Sequence, residues 1–154
     1  MHRALDLARE AFRLGEVPVG CVITLEDRII AEAFNQRELL SDPTAHAERL
    51  AISSAGRSLG TWRLDGCRLY VTLEPCPMCA GSIVLARIPL IVYGASDPKA
   101  GACDSLYRLT RDRRLNHQAR TQGGVLSEEC GELLSRFFQH RRHDSLSPPA
   151  GRSA

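Results

Sequence analysis

The segment from residue 68 to residue 94 constrains the fold most, because two apolar runs flank a helical stretch. RLYVTL (68–73) and LIVYG (90–94) are short, apolar and bounded by turn residues, as is typical of buried strands. PMCAGSIVLAR (77–87) lies between them and predicts a helix, and AHAERLAISSAG (45–56) predicts another upstream. Alternating strands and helices indicate an α/β layer structure.

The N-terminal residues add a helix and a hairpin to this pattern. Apolar side chains recur with helical spacing up to Gly15, which predicts an amphipathic first helix. VPVGCVIT (17–24) and RIIAEAF (28–34) are β-branched runs separated by polar residues. We therefore expect a β-hairpin with Glu26 and Asp27 at its tip.

The C-terminal third is predicted to contain a loop, a helix and a tail. Residues 95–109 are rich in small residues and turn formers, and such loops often carry function. SEECGELLSRFFQHRRH (127–143) predicts a helix with Ser127 as its N-cap, acidic residues in the first turn and basic ones in the last. We expect one folded domain over residues 1–143 and a disordered polar tail over residues 144–154.

Composition narrows the class of protein. The chain of 154 residues has a formal net charge of +2, so any nucleic-acid-binding surface has to be local. No apolar run approaches the roughly 20 residues that cross a bilayer, and the N-terminus lacks the apolar stretch of a secretory signal. These features predict a cytoplasmic protein without a membrane span. Its six cysteines are expected to be reduced, with Cys21, Cys67, Cys103 and Cys130 acting as small buried side chains.

Two motifs place metal-ligand residues at the starts of helices. Cys76 and Cys79 form a C-x-x-C pair that opens the helix after the strand 68–73, and Pro77 suits the first helical position. His46 likewise precedes a helical run. Together they supply three ligands, which leave a tetrahedral zinc ion one open position for water, the mark of a catalytic site.

Glu48 follows the histidine by two positions and can transfer protons to and from the reacting groups. H-x-E followed by P-C-x-x-C is the signature of the zinc deaminases. Two other readings remain open at this point. The cysteines can form a redox pair, or Cys67 or Cys103 can complete a structural zinc site, in which case Glu48 is a solvated helix residue.

Longer segments carry a resemblance to one family. The chain resembles the bacterial tRNA adenosine deaminases, of the cytidine deaminase-like superfamily, in EVPVGCVI (16–23), FNQRELLSDPTAHAE (34–48), LYVTLEPCPMCAGSIVLARI (69–88), VYGASDPKAGACDSL (92–106), LNH (115–117) and GVLSEECGELLSRFFQHRR (124–142). The resemblance implies a three-layer fold with a central mixed five-stranded sheet flanked by helices, one zinc ion per chain and a homodimer. It also implies hydrolytic conversion of the wobble adenosine to inosine in the anticodon stem-loop of the arginine tRNA with an ACG anticodon.

The same resemblance assigns roles to particular residues. Asn35 is expected to hold the edge of the flipped adenine, in a pocket walled by Val17, Pro18, Ala47 and Leu73. Asp97 is expected near the sugar of a flanking nucleotide. The terminal helix is expected to face the anticodon loop with Phe138, Arg141 and Arg142. Asp104 departs from the family, which usually has a glycine there.

Each of these roles has a simpler alternative. Asn35 and Asp97 can be turn residues, Phe138 can be core packing, and the two terminal arginines can be a solvated basic helix end. Two alternatives to the whole function also remain. One is a deaminase of a free base or nucleoside, of the guanine or cytosine type, and the other is an RNA-binding module with structural zinc.

Overall fold

The computed structural model describes the chain from residue 1 to residue 146, and its side chains as far as residue 142. Five strands form one sheet that lies between helices. The strands are β1 (Gly20–Leu25), β2 (Arg28–Phe34), β3 (Arg68–Leu73), β4 (Leu90–Ala95) and β5 (Arg120–Gln122). The helices are α1 (His2–Arg13), α2 (Ala47–Leu59), α3 (Pro77–Ala86) and α4 (Ser127–Leu146), with a short 3-10 helix at Leu109–Arg111.

The sheet is mixed, with the strand order β2-β1-β3-β4-β5. β1 pairs antiparallel with β2 and β3, whereas β3 with β4 and β4 with β5 are parallel. The parallel pairs bring the C-terminal ends of β3 and β4 to one edge, where ligands of α/β sheets usually bind. The predicted five-stranded, three-layer fold is confirmed.

Residues of alternating strand positions pack against different helices. Cys21 and Ile23 of β1 lie in the main core with Ala51 of α2 and Ile83 of α3. Val22, between them in sequence, packs instead against α1. This alternation follows from the period of two along a strand, and it places the helices in one layer on each face.

Two glycines allow helices to approach the sheet closely. A Cβ atom on Gly20 would lie 2.0 Å from the carbonyl oxygen of Ala4 and 2.7 Å from the nitrogen of Ala8, both in α1. A Cβ on Gly94 would lie 2.5 Å from the sulfur of Cys130 in α4. Only glycine leaves room for helix and strand at these contacts.

The local predictions are confirmed with shifts at element ends. The hairpin turns at Glu26 and Asp27, which both have positive φ angles, 48° and 62°. β1 begins at Gly20 rather than at residue 17. The short polar strand β5 was not predicted from its own sequence.

The prediction of Ser127 as an N-cap is wrong. Ser127 is the first residue of α4, and the backbone N–H of Cys130 donates to the carbonyl oxygen of Leu126, which therefore takes the capping position. The helix continues to Leu146, beyond the expected boundary at residue 143. The rest of the expected tail, residues 147–154, lies outside the described residues.

All six cysteines are free thiols, and the four outside the C-x-x-C pair are buried, as predicted. Among the helices of the described residues, none has the length and apolarity needed to cross a membrane.

Candidate active site and metal centre

A cavity of about 170 Å³ opens where β2 and β3 end and α2 and α3 begin. Eight residues singled out from sequence line it: Val17, Asn35, His46, Ala47, Glu48, Leu73, Cys76 and Asp97. Four others were not predicted: Val19, Arg37, Glu74 and Ala100. Pro18 is buried and is not among the lining residues, so the expected contact of Pro18 with the pocket is not seen.

The three predicted metal ligands meet because two helices begin at the same place. His46 and Cys76 both have extended backbone and occupy the capping positions of α2 and α3. The Nδ1 atom of His46 lies 3.5 Å from the sulfur of Cys76 and 3.6 Å from the sulfur of Cys79. The ligand atoms of all three residues lie within 4.8 Å of one another.

These separations fit zinc. Tetrahedral zinc with bonds of about 2.3 Å to sulfur and about 2.0 Å to nitrogen separates neighbouring S and N ligands by about 3.5 Å. Within the described part of the chain, neither Cys67 nor Cys103 joins the cluster. The donor set is therefore one nitrogen and two sulfurs, which leaves an open coordination position and disfavours the structural four-ligand alternative.

Hydrogen bonds prepare one thiol for metal binding. The Cys79 thiol donates to the Cys76 sulfur and lowers the pKa of Cys76 to about 4, against the effect of burial, with a further contribution from His46. The same contact with Cys76, together with burial, raises the pKa of Cys79. The lowered pKa favours the thiolate form of Cys76, which is the form that binds metal.

Glu48 lies in the first turn of α2, with its side chain turned into the cavity lining. It is only 4% exposed. Burial raises the pKa of Glu48 to about 7, which suits a group that both accepts and donates protons at neutral pH. The alternative of a solvated helix residue is wrong, because the carboxyl group is buried.

Asn35 is buried as well and is held by an acid that the sequence analysis missed. Its Nδ2 atom donates to Oε2 of Glu16 at 3.1 Å, and Oε1 of Glu16 accepts the backbone N–H of Leu39 at 2.7 Å. Glu16 is 1% exposed. The amide of Asn35 is thus oriented within the cavity lining rather than serving only a turn. Glu16 could have been suspected only as an acid that directly precedes an apolar run.

Glu74 is the second buried acid that sequence reasoning missed. Its Oε1 atom accepts three backbone N–H groups, from Cys103, Asp104 and Ser105, and its Oε2 atom accepts the N–H of Asp97 and the hydroxyl of Ser105. Burial raises the pKa of Glu74, but these hydrogen bonds outweigh it and the net shift is downward. Glu74 therefore fixes the loop that forms one wall of the cavity.

Gly101 packs directly against the carboxyl group of Glu74. A Cβ atom on residue 101 would lie 2.4 Å from the carboxyl carbon, so a larger residue would displace Glu74. Asp104, in the same loop, has side-chain partners of its own. Its carboxylate accepts the hydroxyl of Tyr93 at 2.8 Å and pairs with Arg111. The loop is thus held both by Glu74 and by the ion pair between Asp104 and Arg111.

Asp97 lies at the cavity and also shapes the turn before Pro98. Its Oδ1 atom accepts the backbone N–H groups of Lys99 at 2.9 Å and Ala100 at 3.2 Å. The turn-forming alternative is therefore correct as far as Oδ1 is concerned. It does not contradict a contact with substrate, because Asp97 also lines the cavity.

The predicted residues of the terminal helix lie outside the cavity lining. Phe138 is 45% exposed and meets Phe137 edge to face, with ring centroids 5.5 Å apart, so the core-packing alternative is wrong for Phe138. Phe137 is the buried member of the pair, and the guanidinium of Arg141 lies 5.8 Å from its ring centroid. Arg141 and Arg142 are exposed.

Comparison with known proteins agrees with this geometry. Residues 1–95 match the profile of the cytidine and deoxycytidylate deaminase zinc-binding region. That profile and the His46–Cys76–Cys79 cluster together identify one zinc ion as the cofactor. A tRNA-specific adenosine deaminase from Bacillus subtilis is 51% identical over 142 residues, which cover 92% of this chain and 88% of the relative.

Two solved structures resemble this chain to different degrees, one in fold and sequence and the other in fold alone. One, from a study of A-to-I editing by tRNA:A34 deaminases at the wobble position of transfer RNA, has a TM-score of 0.84 and 45% identity, over 87% of this chain and 97% of the other. A guanine deaminase from Nitrosomonas europaea has a TM-score of 0.76 over 88% of this chain and 81% of its own. Its identity is only 22%, so it shares the fold alone. The chain belongs to the family of tRNA-specific adenosine deaminases, enzymes built on the cytidine and deoxycytidylate deaminase zinc-binding region.

Proposed function

We propose that the protein hydrolyses the wobble adenosine of a tRNA anticodon to inosine, with the arginine tRNA of anticodon ACG as substrate. The observation that carries the proposal is a buried acid, Glu48, lining one cavity with His46 and Cys76 in a chain of this family. The cavity of about 170 Å³ is smaller than the roughly 300 Å³ and more of pockets for drug-sized ligands. It suits one base turned out of its stack rather than a whole nucleotide.

His46, Cys76 and Cys79 are proposed to hold the zinc ion. When bound, zinc supplies the Lewis acidity that makes water nucleophilic at neutral pH. The protein surrounds this position with the starts of two helices, whose positive ends favour the thiolate form of the cysteines.

Glu48 is proposed to be the proton carrier. It takes a proton from the attacking water and delivers it to the ring nitrogen next to the amino-bearing carbon as the C–O bond forms. It then carries the remaining hydroxyl proton to the amino group. The C–N bond breaks, ammonia leaves and the carbonyl of inosine remains. Its pKa of about 7 leaves both protonation states accessible during this exchange.

The cavity walls are proposed to select and hold the base. The Asn35 amide, fixed by Glu16, offers hydrogen bonds to the edge of adenine, and Val17, Ala47 and Leu73 offer apolar contact. Arg37 adds an exposed guanidinium to the lining, suited to a phosphate beside the flipped nucleotide.

Outside the cavity, Phe138, Arg141 and Arg142 are proposed to contact the anticodon loop. Phe138 is exposed on the same helix as the two arginines. Exposed aromatic rings and guanidinium groups together suit unstacked bases and the phosphates between them. Action on tRNA implies a cytoplasmic location.

We also propose that the enzyme is a homodimer that associates through α2 and α3. Trp62 and Leu85 are 63% and 71% exposed and line a shallow depression together with Ile52. Large exposed apolar side chains on neighbouring elements are typical of interfaces between subunits. Light scattering of the purified protein should give the mass of two chains, and Trp62→Arg should give one.

The function is tested by incubating the purified zinc protein with an ACG anticodon stem-loop, free guanine and cytidine in parallel. We expect inosine from the stem-loop and no deaminated product from guanine or cytidine. Product from guanine alone would favour a free-base deaminase instead. Stem-loop binding without any inosine would favour an RNA-binding module.

A further inference from the structure

A second surface feature lies beside the active-site loop and is separate from the cavity. It is a groove of about 630 Å³ lined by Tyr107, Arg108, Leu109, Arg111, Asp112 and Arg114. Residues 107–114 contain four arginines and one aspartate, a net charge of +3, whereas the whole chain carries +2. This short stretch therefore carries more net positive charge than the whole chain.

Backbone hydrogen bonds join this groove to the catalytic cavity. The N–H of Leu109 donates to the carbonyl oxygen of Ala102 at 3.0 Å, and the N–H of Ala102 donates to the carbonyl oxygen of Pro75 at 2.8 Å. Pro75 directly precedes the proposed zinc ligand Cys76. The groove is therefore attached to the same loop segment that forms one wall of the cavity.

Two of the three arginines that line the groove, Arg108 and Arg114, are available to a ligand, whereas Arg111 pairs with Asp104. Arg108 is exposed, and among the side chains that the structure describes it has no hydrogen-bond or ion-pair partner. Arg114 pairs with Asp112 at 2.6 Å but keeps 89% of its side chain exposed. Exposed ion pairs are weak, and a guanidinium has five N–H donors, so a paired arginine can still bind an anion.

We propose that this arginine groove binds the sugar–phosphate backbone of the RNA that flanks the flipped nucleotide. The inference rests on the proposed function, because RNA is the substrate. Guanidinium groups bind phosphate in a bidentate manner, and Tyr107, 54% exposed, offers a ring for a base or ribose. A protein partner fits the groove less well, because the centres of protein interfaces are depleted of charged residues.

The test compares two double variants that each remove two positive charges. R108Q/R114Q changes one unpaired and one aspartate-paired arginine of the groove. R28Q/R68Q is the matched control, because Arg28 lies at the hairpin tip and Arg68 pairs with Asp27, at the end of the sheet away from the cavity. Binding of a labelled ACG anticodon stem-loop RNA is measured by fluorescence anisotropy at several salt concentrations, and circular dichroism checks the fold of each variant.

R108Q/R114Q is expected to weaken RNA binding about tenfold at moderate salt. The slope of log K against log salt should become shallower by about 0.7–0.9 for each lost phosphate contact. R28Q/R68Q should match the unchanged protein in both quantities. Equal affinity and slope for R108Q/R114Q and the unchanged protein would overturn the proposal, and would leave an acidic protein segment as the occupant to consider.

The experiment distinguishes a wrong assignment of the groove from a wrong proposed function. If the unchanged protein converts the stem-loop adenosine to inosine while R108Q/R114Q binds RNA normally, only the groove assignment is wrong. If the unchanged protein neither binds nor deaminates the stem-loop, both the proposed function and the groove assignment fall.

Discussion

The side-chain amide of Asn35, which lines the cavity, donates a hydrogen bond of 3.1 Å to the buried carboxylate of Glu16. The contact joins the segment before β1 to the end of β2. Glu16 also accepts the backbone N–H of Leu39. One carboxylate therefore fixes both the proposed base-reading amide and the loop that leads to the zinc cluster.

Glu16→Ala is expected to lower the free energy of unfolding by about 1–3 kcal/mol, because it leaves buried polar groups without partners. KM for the stem-loop should also rise, because the amide of Asn35 is no longer held in position. Urea unfolding and initial-rate kinetics measure the two effects. Glu16→Gln is the control, since it keeps one acceptor oxygen and should lie between the two proteins. A stable Glu16→Ala variant with unchanged KM would show that Glu16 does not position Asn35.

The Asp97→Asn variant distinguishes the role of Asp97 in the turn before Pro98 from its proposed contact with a sugar. An asparagine keeps an Oδ1 acceptor for the N–H groups of Lys99 and Ala100, so the turn should survive. A carboxylate near a ribose accepts a hydrogen bond from the 2′-OH. Deoxyribose has no such hydroxyl, and leaving the carboxylate without this partner costs about 1–3 kcal/mol. The unchanged protein should therefore prefer RNA by roughly one to two decades.

Asp97→Asn should raise activity on a DNA hairpin of the same sequence relative to the RNA hairpin. The measurement is the ratio of the deamination rate on the RNA hairpin to that on the DNA hairpin, for the unchanged protein and for Asp97→Asn. An unchanged ratio, or a parallel fall in both rates, would restrict Asp97 to the turn before Pro98.

Metal binding should depend on the two cysteines and not on the other buried thiols. Cys79→Ala is expected to lose zinc, because two protein ligands bind the ion far more weakly than three. Cys103→Ala is the matched control, since Cys103 is a buried free thiol outside the cluster, and it should retain one zinc ion per chain. Zinc is quantified by mass spectrometry of the metal.

Cobalt substitution reports on the open coordination position. The cobalt protein should show the spectrum of two thiolate ligands, and the spectrum should change when a competing ligand is added. A spectrum of three thiolates that does not respond to the ligand would indicate a closed structural site.

The sequence predicted those parts of the fold in which local pattern and tertiary structure agree. The apolar run at residues 68–73 is strand β3, and the polar tip at Glu26 and Asp27 is the hairpin turn, since both depend on neighbouring residues. β5 was missed because three residues, RTQ, carry no periodicity, and their conformation comes from pairing with β4. The N-cap at Ser127 was wrong because Leu126 adopts a positive φ of 55° that the sequence does not suggest.

The residues of the candidate site also differ in whether the local sequence predicts them. His46, Glu48, Cys76 and Cys79 were recognisable because their chemistry depends on short spacings at helix starts. Glu16 and Glu74 were not, since their hydrogen-bond partners lie far from them in the sequence. A buried acid of this kind becomes visible only when the fold brings distant backbone groups around it.

The Glu48→Gln variant tests whether Glu48 carries the protons of the reaction. Glutamine has nearly the shape of glutamate but cannot accept and release a proton, so the variant should fold, bind one zinc ion and bind the ACG stem-loop. The measurement is the rate of inosine formation in that stem-loop, for the unchanged and the Glu48→Gln protein at equal zinc content. We expect the rate to fall by about 10²–10⁴-fold, the usual contribution of general acid–base catalysis. A Glu48→Gln protein that forms inosine at a near-normal rate would contradict this role of Glu48.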